Sequence, residues 1–175
     1  QMWAAQHCTF KEPNTFITSG GLGTMGFEVP AALGAQVGRP DTVVWSVCGD
    51  GGFQMTMCDI ATAVESGADV KFAILNNTTL GMVHQLQDVF FEQDYMASEF
   101  SANPDFVKIA EAYGIRGIRV TKQEEVVDAV QQAMETAGPV IVDFMVKQDE
   151  IVFPFIPSGQ SVKEMLEEPA HNEIP

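Results

Sequence analysis

The sequence predicts an α/β fold: a doubly wound, mainly parallel sheet with helices on both faces. Three observations carry this expectation. Apolar, β-branched runs alternate with helix-like segments along most of the chain. The runs at 42–48 (TVVWSVC), 70–75 (VKFAIL) and 140–146 (VIVDFMV) are nearly continuous in apolar residues, as strands covered on both sides are. Turns rich in glycine or asparagine follow the first two, at the carboxyl edge where sheets of this kind bind ligands.

Taken in order, residues 3–6 read as a short helix and 16–18 as a short apolar strand leading into SGGLGTMG. Alanines give 30–37 a packing face, so a helix is expected there. The strand at 42–48 runs into GDGG and a helix over 54–66 that Gly67 can terminate. The strand at 70–75 runs into Asn76-Asn77 and a helix over 80–91. Residues 92–103 lack periodicity and form a loop, which at this length is more often functional than idle. Pro104 suits the first turn of a helix ending near Tyr113 and Gly114. A strand at 115–120, a helix at 122–137 and the strand at 140–146 complete the pattern, with no internal repeat.

The chain has 175 residues, 46% hydrophobic and 19% charged, an ordinary composition for one domain with a substantial core. Its net charge of −15, with nine Lys and Arg, argues against a nucleic-acid or anionic-membrane partner. Any bound diphosphate must then be held by a metal and backbone amides. Cys8, Cys48 and Cys58 are odd in number and lack CxxC spacing, so neither a disulfide framework nor a zinc site is indicated. A soluble, cytoplasmic protein is the expectation, since no apolar run reaches the roughly 18 residues of a spanning helix and no basic leader opens the chain. The opening QMWAAQHCTF enters a helix-like pattern without a start residue, which suggests a piece of a longer polypeptide.

The chemistry concentrates in GDG at 49–51 and NN at 76–77, separated by 24 residues. Asp50 follows a buried strand, while Gly51 and Gly52 let backbone N–H groups approach phosphate oxygens closely. A helix beginning near Gln54 would add its positive end. A hard cation such as Mg²⁺ takes oxygen ligands, and Asp50, the amide oxygen of Asn77 and a carbonyl of the following turn would supply them. Either motif alone reads more simply as a tight turn or a helix cap. Together, at strand ends, they favour a metal–diphosphate site.

GDGGFQM with LNNTTLGMV resembles the thiamine diphosphate signature. The flanks QMWAAQ, TFITSGGLGTMGF, SANPDFVKIAEAYG, IRVTKQEEV and VFPFIP resemble the catalytic subunits of acetohydroxyacid (acetolactate) synthases, in the same order and spacing. That resemblance implies a thiamine diphosphate-binding domain over 1–147 and a tail over 148–175 that can strap the active site, with pyrimidine and middle domains upstream and absent from these residues. It implies Mg²⁺ held by the side chains of Asp50 and Asn77 and the backbone carbonyl of Thr79, and diphosphate held by the amides of Gly51 and Gly52. Gly23 and Met25 would touch the aminopyrimidine, with Met25 wedged beneath the cofactor. Met82 would border both cofactor and substrate channel, with Val83 and Leu86 completing the channel.

The implied reaction decarboxylates pyruvate and joins its two-carbon unit to a second 2-keto acid, toward branched-chain amino acids. No catalytic residue is expected in this chain, because the family's activating glutamate comes from another domain across a subunit interface. FAD belongs to the family's full-length enzyme, held mainly by the middle domain. Small-molecule 2-keto acids, a homo-oligomer and a regulatory subunit are the implied partners. The sequence departs from the family at Leu86, where Trp is usual, at Gly52, where Ser is usual, and at Glu28, where a small residue is usual. A non-catalytic or partner-completed thiamine diphosphate module, and another thiamine diphosphate-dependent decarboxylase or oxidase, remain alternatives. NAD binding is weaker, since GGLGTMG does not give GxGxxG in register. His7 is expected on a helix face, His84 beside the channel and His171 in the acidic tail.

Overall fold

In the computed structural model, residues 1–167 are described; His171 and the acidic Glu168 and Glu173 of the tail lie outside them. Four parallel strands form the sheet, β1 (Val44–Gly49), β2 (Val70–Asn76), β3 (Arg116–Val120) and β4 (Val140–Met145), in the order β1-β2-β4-β3. In register, Gly49 stands beside Leu75, so the GDG and NN motifs leave neighbouring strands at the same edge. That edge is the one the strand–turn pattern predicts.

Seven helices accompany these strands among the described residues: α1 (Met2–His7), α2 (Glu28–Gly38), α3 (Asp50–Thr56), α4 (Ile60–Ser66), α5 (Gly81–Phe90), α6 (Phe106–Ala112) and α7 (Val126–Glu135). On one sheet face, α2, α3, α4 and α6 pack Val29, Leu33, Phe53, Ile60 and Phe106 over Phe72, Ile74 and Ile141. On the other, Ala129 and Ala133 of α7 meet Val120, Val140 and Val142. Both faces are therefore covered, as expected of strands without polar alternation. Phe53, Phe72 and Phe106 have no exposed surface, and each such burial stabilises the fold by roughly 1.5–3 kcal/mol. Phe53 meets Phe106 edge to face at 5.5 Å between centroids, fixing α3 against α6.

Four local expectations are corrected. Residues 16–18 form no strand; Phe16 stacks on Phe10 at 4.5 Å, Ile17 is exposed, and no strand pairs with this run. The helix expected over 54–66 begins at Asp50 and is broken by a 3-10 turn at Met57–Asp59 before α4, which Gly67 does terminate in a left-handed conformation. Pro104 precedes α6 rather than entering it, because Asp105 is the cap and its carboxylate accepts the N–H groups of Val107 and Lys108. The helix at 122–137 opens with a 3-10 turn, Gln123–Glu125, before α7.

Val152 and Phe155 of the tail lie against α5. Gln85, buried, donates to the carbonyl of Val152 at 3.1 Å and accepts the Val152 N–H at 2.8 Å. Phe155 packs edge to face with Phe90 and pairs antiparallel with Leu166. No described helix is long and apolar enough to cross a membrane.

Candidate functional site

Asp50 is the first residue of α3, entered from extended Gly49 at the end of β1. Helices leave their first N–H groups without partners, so Gly51 and Gly52, inside that first turn rather than ahead of it, keep amides available for an anion. The Asp50 side chain is fully buried. Its Oδ2 accepts a hydrogen bond from Asn103 Nδ2, while its Oδ1 has no partner. Burial pushes this carboxyl above its ordinary range, and the hydrogen bond from Asn103 offsets part of that rise. A buried carboxylate oxygen with nothing bound to it is costly unless a cation completes it.

The two asparagines divide their tasks. Asn76 turns inward, donating to Asp143 Oδ1 at 3.0 Å and accepting from Asn103 Nδ2 at 2.9 Å. Asn77 lies in the turn, where its Oδ1 accepts the Thr79 N–H at 3.2 Å and keeps a lone pair for a ligand. Thr78 holds a left-handed φ of 59°, bending the chain between them. The loop at 98–100 clamps this turn: Leu80 N–H donates to the Ser98 carbonyl and Phe100 N–H to the Thr78 carbonyl. Thr79 is buried, its hydroxyl oxygen also without a partner.

Around Gly23 and Met25, the segment after 18 folds on Ser19, whose carbonyl accepts the Gly23 N–H and whose hydroxyl accepts the Thr24 N–H. Gly23 has φ 61°, and Met25 is 46% exposed. Thr56, the last residue of α3, donates to the Gly26 carbonyl at 2.8 Å. Helix α3 thus ties the Met25 loop to the Asp50 turn. At the start of α2, half-buried Glu28 has its carboxyl raised, chiefly by burial, and lies against Gly52.

On α5, Met82 and Leu86 share the exposed face and Val83 is half-buried, as the i, i+4 spacing requires. His84 points the other way: it is buried, stacked on Tyr95 at 4.1 Å between centroids, with Nε2 3.3 Å from Glu99. His7 is exposed and stacks on Trp3.

Sequence reasoning missed a polar network beneath the site. Asn103 joins Asp50 to Asn76, Asn76 binds Asp143, and Asp143 accepts from Arg119 Nε at 3.2 Å. Arg119 reaches on to the α6 cap, Asp105, at 2.6 Å. One signal was available: Asp143 is a lone charge inside the apolar strand VIVDFM, and such a residue needs a buried partner.

A carboxylate, an amide oxygen and turn carbonyls are hard oxygen donors of the kind Mg²⁺ takes. No group of three or more His, Cys, Asp and Glu that could hold a metal occurs among the described residues. The family model for the C-terminal TPP-binding domain of thiamine pyrophosphate enzymes matches residues 1–144. The chain belongs to that family. Thiamine pyrophosphate is thiamine diphosphate, the cofactor the motifs implied. The domain is 46% identical over 166 residues to the mitochondrial acetolactate synthase catalytic subunit of Saccharomyces cerevisiae, covering 95% of this chain and 24% of the relative. It is 48% identical over 166 residues to the acetolactate synthase large subunit of Corynebacterium glutamicum, covering 92% and 26%. Against the large subunit of acetolactate synthase isozyme 2 of Escherichia coli it is 42% identical over 167 residues, covering 95% and 30%. The chain thus spans between about a quarter and a third of the length of these relatives.

Proposed function

We propose that this domain holds the metal–diphosphate end of thiamine diphosphate in an acetolactate synthase that condenses pyruvate with a second 2-keto acid, releasing CO₂. The observation that carries the reading is Asp50 Oδ1, buried without a partner directly after β1 and beside β2, whose last residue, Asn76, leads into Asn77. Asp50 and Asn77 would hold Mg²⁺ through their side chains and Thr79 through its carbonyl, while the Gly51 and Gly52 amides bind diphosphate oxygens. Gly23 and Met25 would meet the aminopyrimidine, and Met82, with Val83 and Leu86, the substrate side. Bound thiamine diphosphate supplies the electron sink that decarboxylation of a 2-keto acid requires.

The chain's own residues bind, orient and exclude water. Leu80 and Phe100 cover Gly51 and shield the turn, and the buried network under Asp50 resists reorganisation on loading. The activating glutamate and the FAD site belong to other domains, so this chain alone is predicted to be inactive as a synthase. Homo-oligomerisation and a regulatory subunit are part of the proposal, resting on the acetolactate synthase relatives. A thermal-shift series tests the reading: thiamine diphosphate with Mg²⁺ should raise the melting temperature, and NAD should not. A rise with NAD alone would overturn it.

A further inference from the structure

We infer that Asn103 is a positioning residue for the metal-binding carboxylate: it occupies one oxygen of Asp50 and thereby reserves the other for the cation. The inference rests on the proposed metal–diphosphate site and adds a residue outside the GDG and NN motifs.

The Asn103 side chain is fully committed. Its two N–H groups serve Asp50 Oδ2 and Asn76 Oδ1, and its carbonyl oxygen accepts from Gln54 Nε2 at 3.1 Å. An amide has one donor end and one acceptor end, so the acceptor-only Asp50 carboxylate takes the N–H end and Gln54, by donating to the carbonyl end, supports that orientation. A carboxylate holding one N–H on Oδ2 presents Oδ1 as a fixed single ligand. Without Asn103, neither oxygen would be distinguished and the carboxylate could rotate.

The backbone holds Asn103 in place. Phe53 lies three residues after Asp50 and Phe106 three after Asn103, and the two rings meet edge to face, so an apolar contact accompanies the polar one. Pro104 restricts Asn103 to extended conformations. Asp105 caps α6 and is bound by Arg119, which also binds the Asp143 that holds Asn76. Asn103 is thus fixed from the α6 side and through Asn76.

The test is Mn²⁺ binding to the chain with thiamine diphosphate, read from the electron paramagnetic resonance signal of free Mn²⁺. Asn103→Ala should weaken Mn²⁺ binding by about 10- to 100-fold, the usual consequence of removing a residue that orients a metal ligand. Gln54→Glu and Gln54→Met give the decisive comparison, because both remove the Gln54 donor but only the carboxylate demands a donor in return. In Gln54→Glu that new carboxylate would compete with Asp50 for the N–H end of the Asn103 amide, with a loss approaching that of Asn103→Ala; Gln54→Met should lose far less. A merely structural role makes the two Gln54 variants alike, and that result overturns the inference. If Asn103→Ala does not fold, the Gln54 pair decides. Wild-type affinity in both Asn103→Ala and Gln54→Glu would overturn the inference and leave the site reading standing. No Mn²⁺ uptake by the wild-type chain would overturn both.

Discussion

A Cβ at position 52 would stand 2.6 Å from Oε1 of Glu28, so the Gly52 and Glu28 departures from the acetolactate synthase pattern form one spatial pair. Only a residue without a side chain leaves that carboxylate its place. Gly52→Ser should destabilise the chain by about 1 kcal/mol, and Glu28→Ala should remove most of that cost, a coupling of the size contacting residues show. Urea denaturation of the two single variants and the double variant measures it; additive effects would mean that the residues are independent.

Gly51 is constrained by protein as well as by diphosphate. A Cβ there would meet Leu80 Cδ2 at 2.6 Å and Phe100 Cζ at 3.0 Å. Gly51→Ala should cost about 1–3 kcal/mol without any ligand, the range for overpacking. Leu80→Ala in the same chain should recover part of it. An unchanged denaturation midpoint for Gly51→Ala would leave only the phosphate to explain the glycine.

Arg119 neutralises buried Asp143 and half-exposed Asp105 together. Arg119→Met should cost about 1–3 kcal/mol near neutral pH, since it strips charged hydrogen bonds from a buried carboxylate. The hydrogen bond from Arg119 holds the Asp105 carboxyl below its ordinary range. A lowered folded-state pKa contributes stability that is present above the ordinary carboxylate range and lost as pH falls through the lowered value. The penalty of Arg119→Met should therefore shrink on acidification; thermal melts across roughly pH 2–7, which brackets carboxylate titration, would contradict this if the gap widened.

Gln85 secures the tail to α5 through both polar groups of Val152. Gln85→Ala leaves a buried N–H and a buried carbonyl without these bonds, at about 1–3 kcal/mol each for unsatisfied groups, less any water that enters. Limited proteolysis should then cut within 148–160 faster than in the wild-type chain. Equal cleavage rates would show that the tail is held elsewhere.

β1, β2 and β4 were legible because each is a nearly continuous apolar run, and all four strands, including the more polar β3, lie within two residues of their expected bounds. The failures have physical causes. Phe16 and Ile17 look like strand residues, but a strand needs a neighbour and none pairs with them. Asp50 and Asn77 were legible as strand-end polar residues beside glycine and turn chemistry. Asn103 was not: its partners Asp50 and Asn76 lie 53 and 27 positions away, and they meet through tertiary packing, α6 lying on β3 and β4 with Phe106 against Phe53. The stacking of His84 was not legible either, because helical spacing names a face without saying which loop covers it, and here Tyr95 does.

The account depends most on Asp50 carrying the cation. Isothermal titration of Mg²⁺ into the chain with saturating thiamine diphosphate should show binding to the wild type and none to Asp50→Ala, with both folded by circular dichroism. Equal binding by the two chains would contradict it.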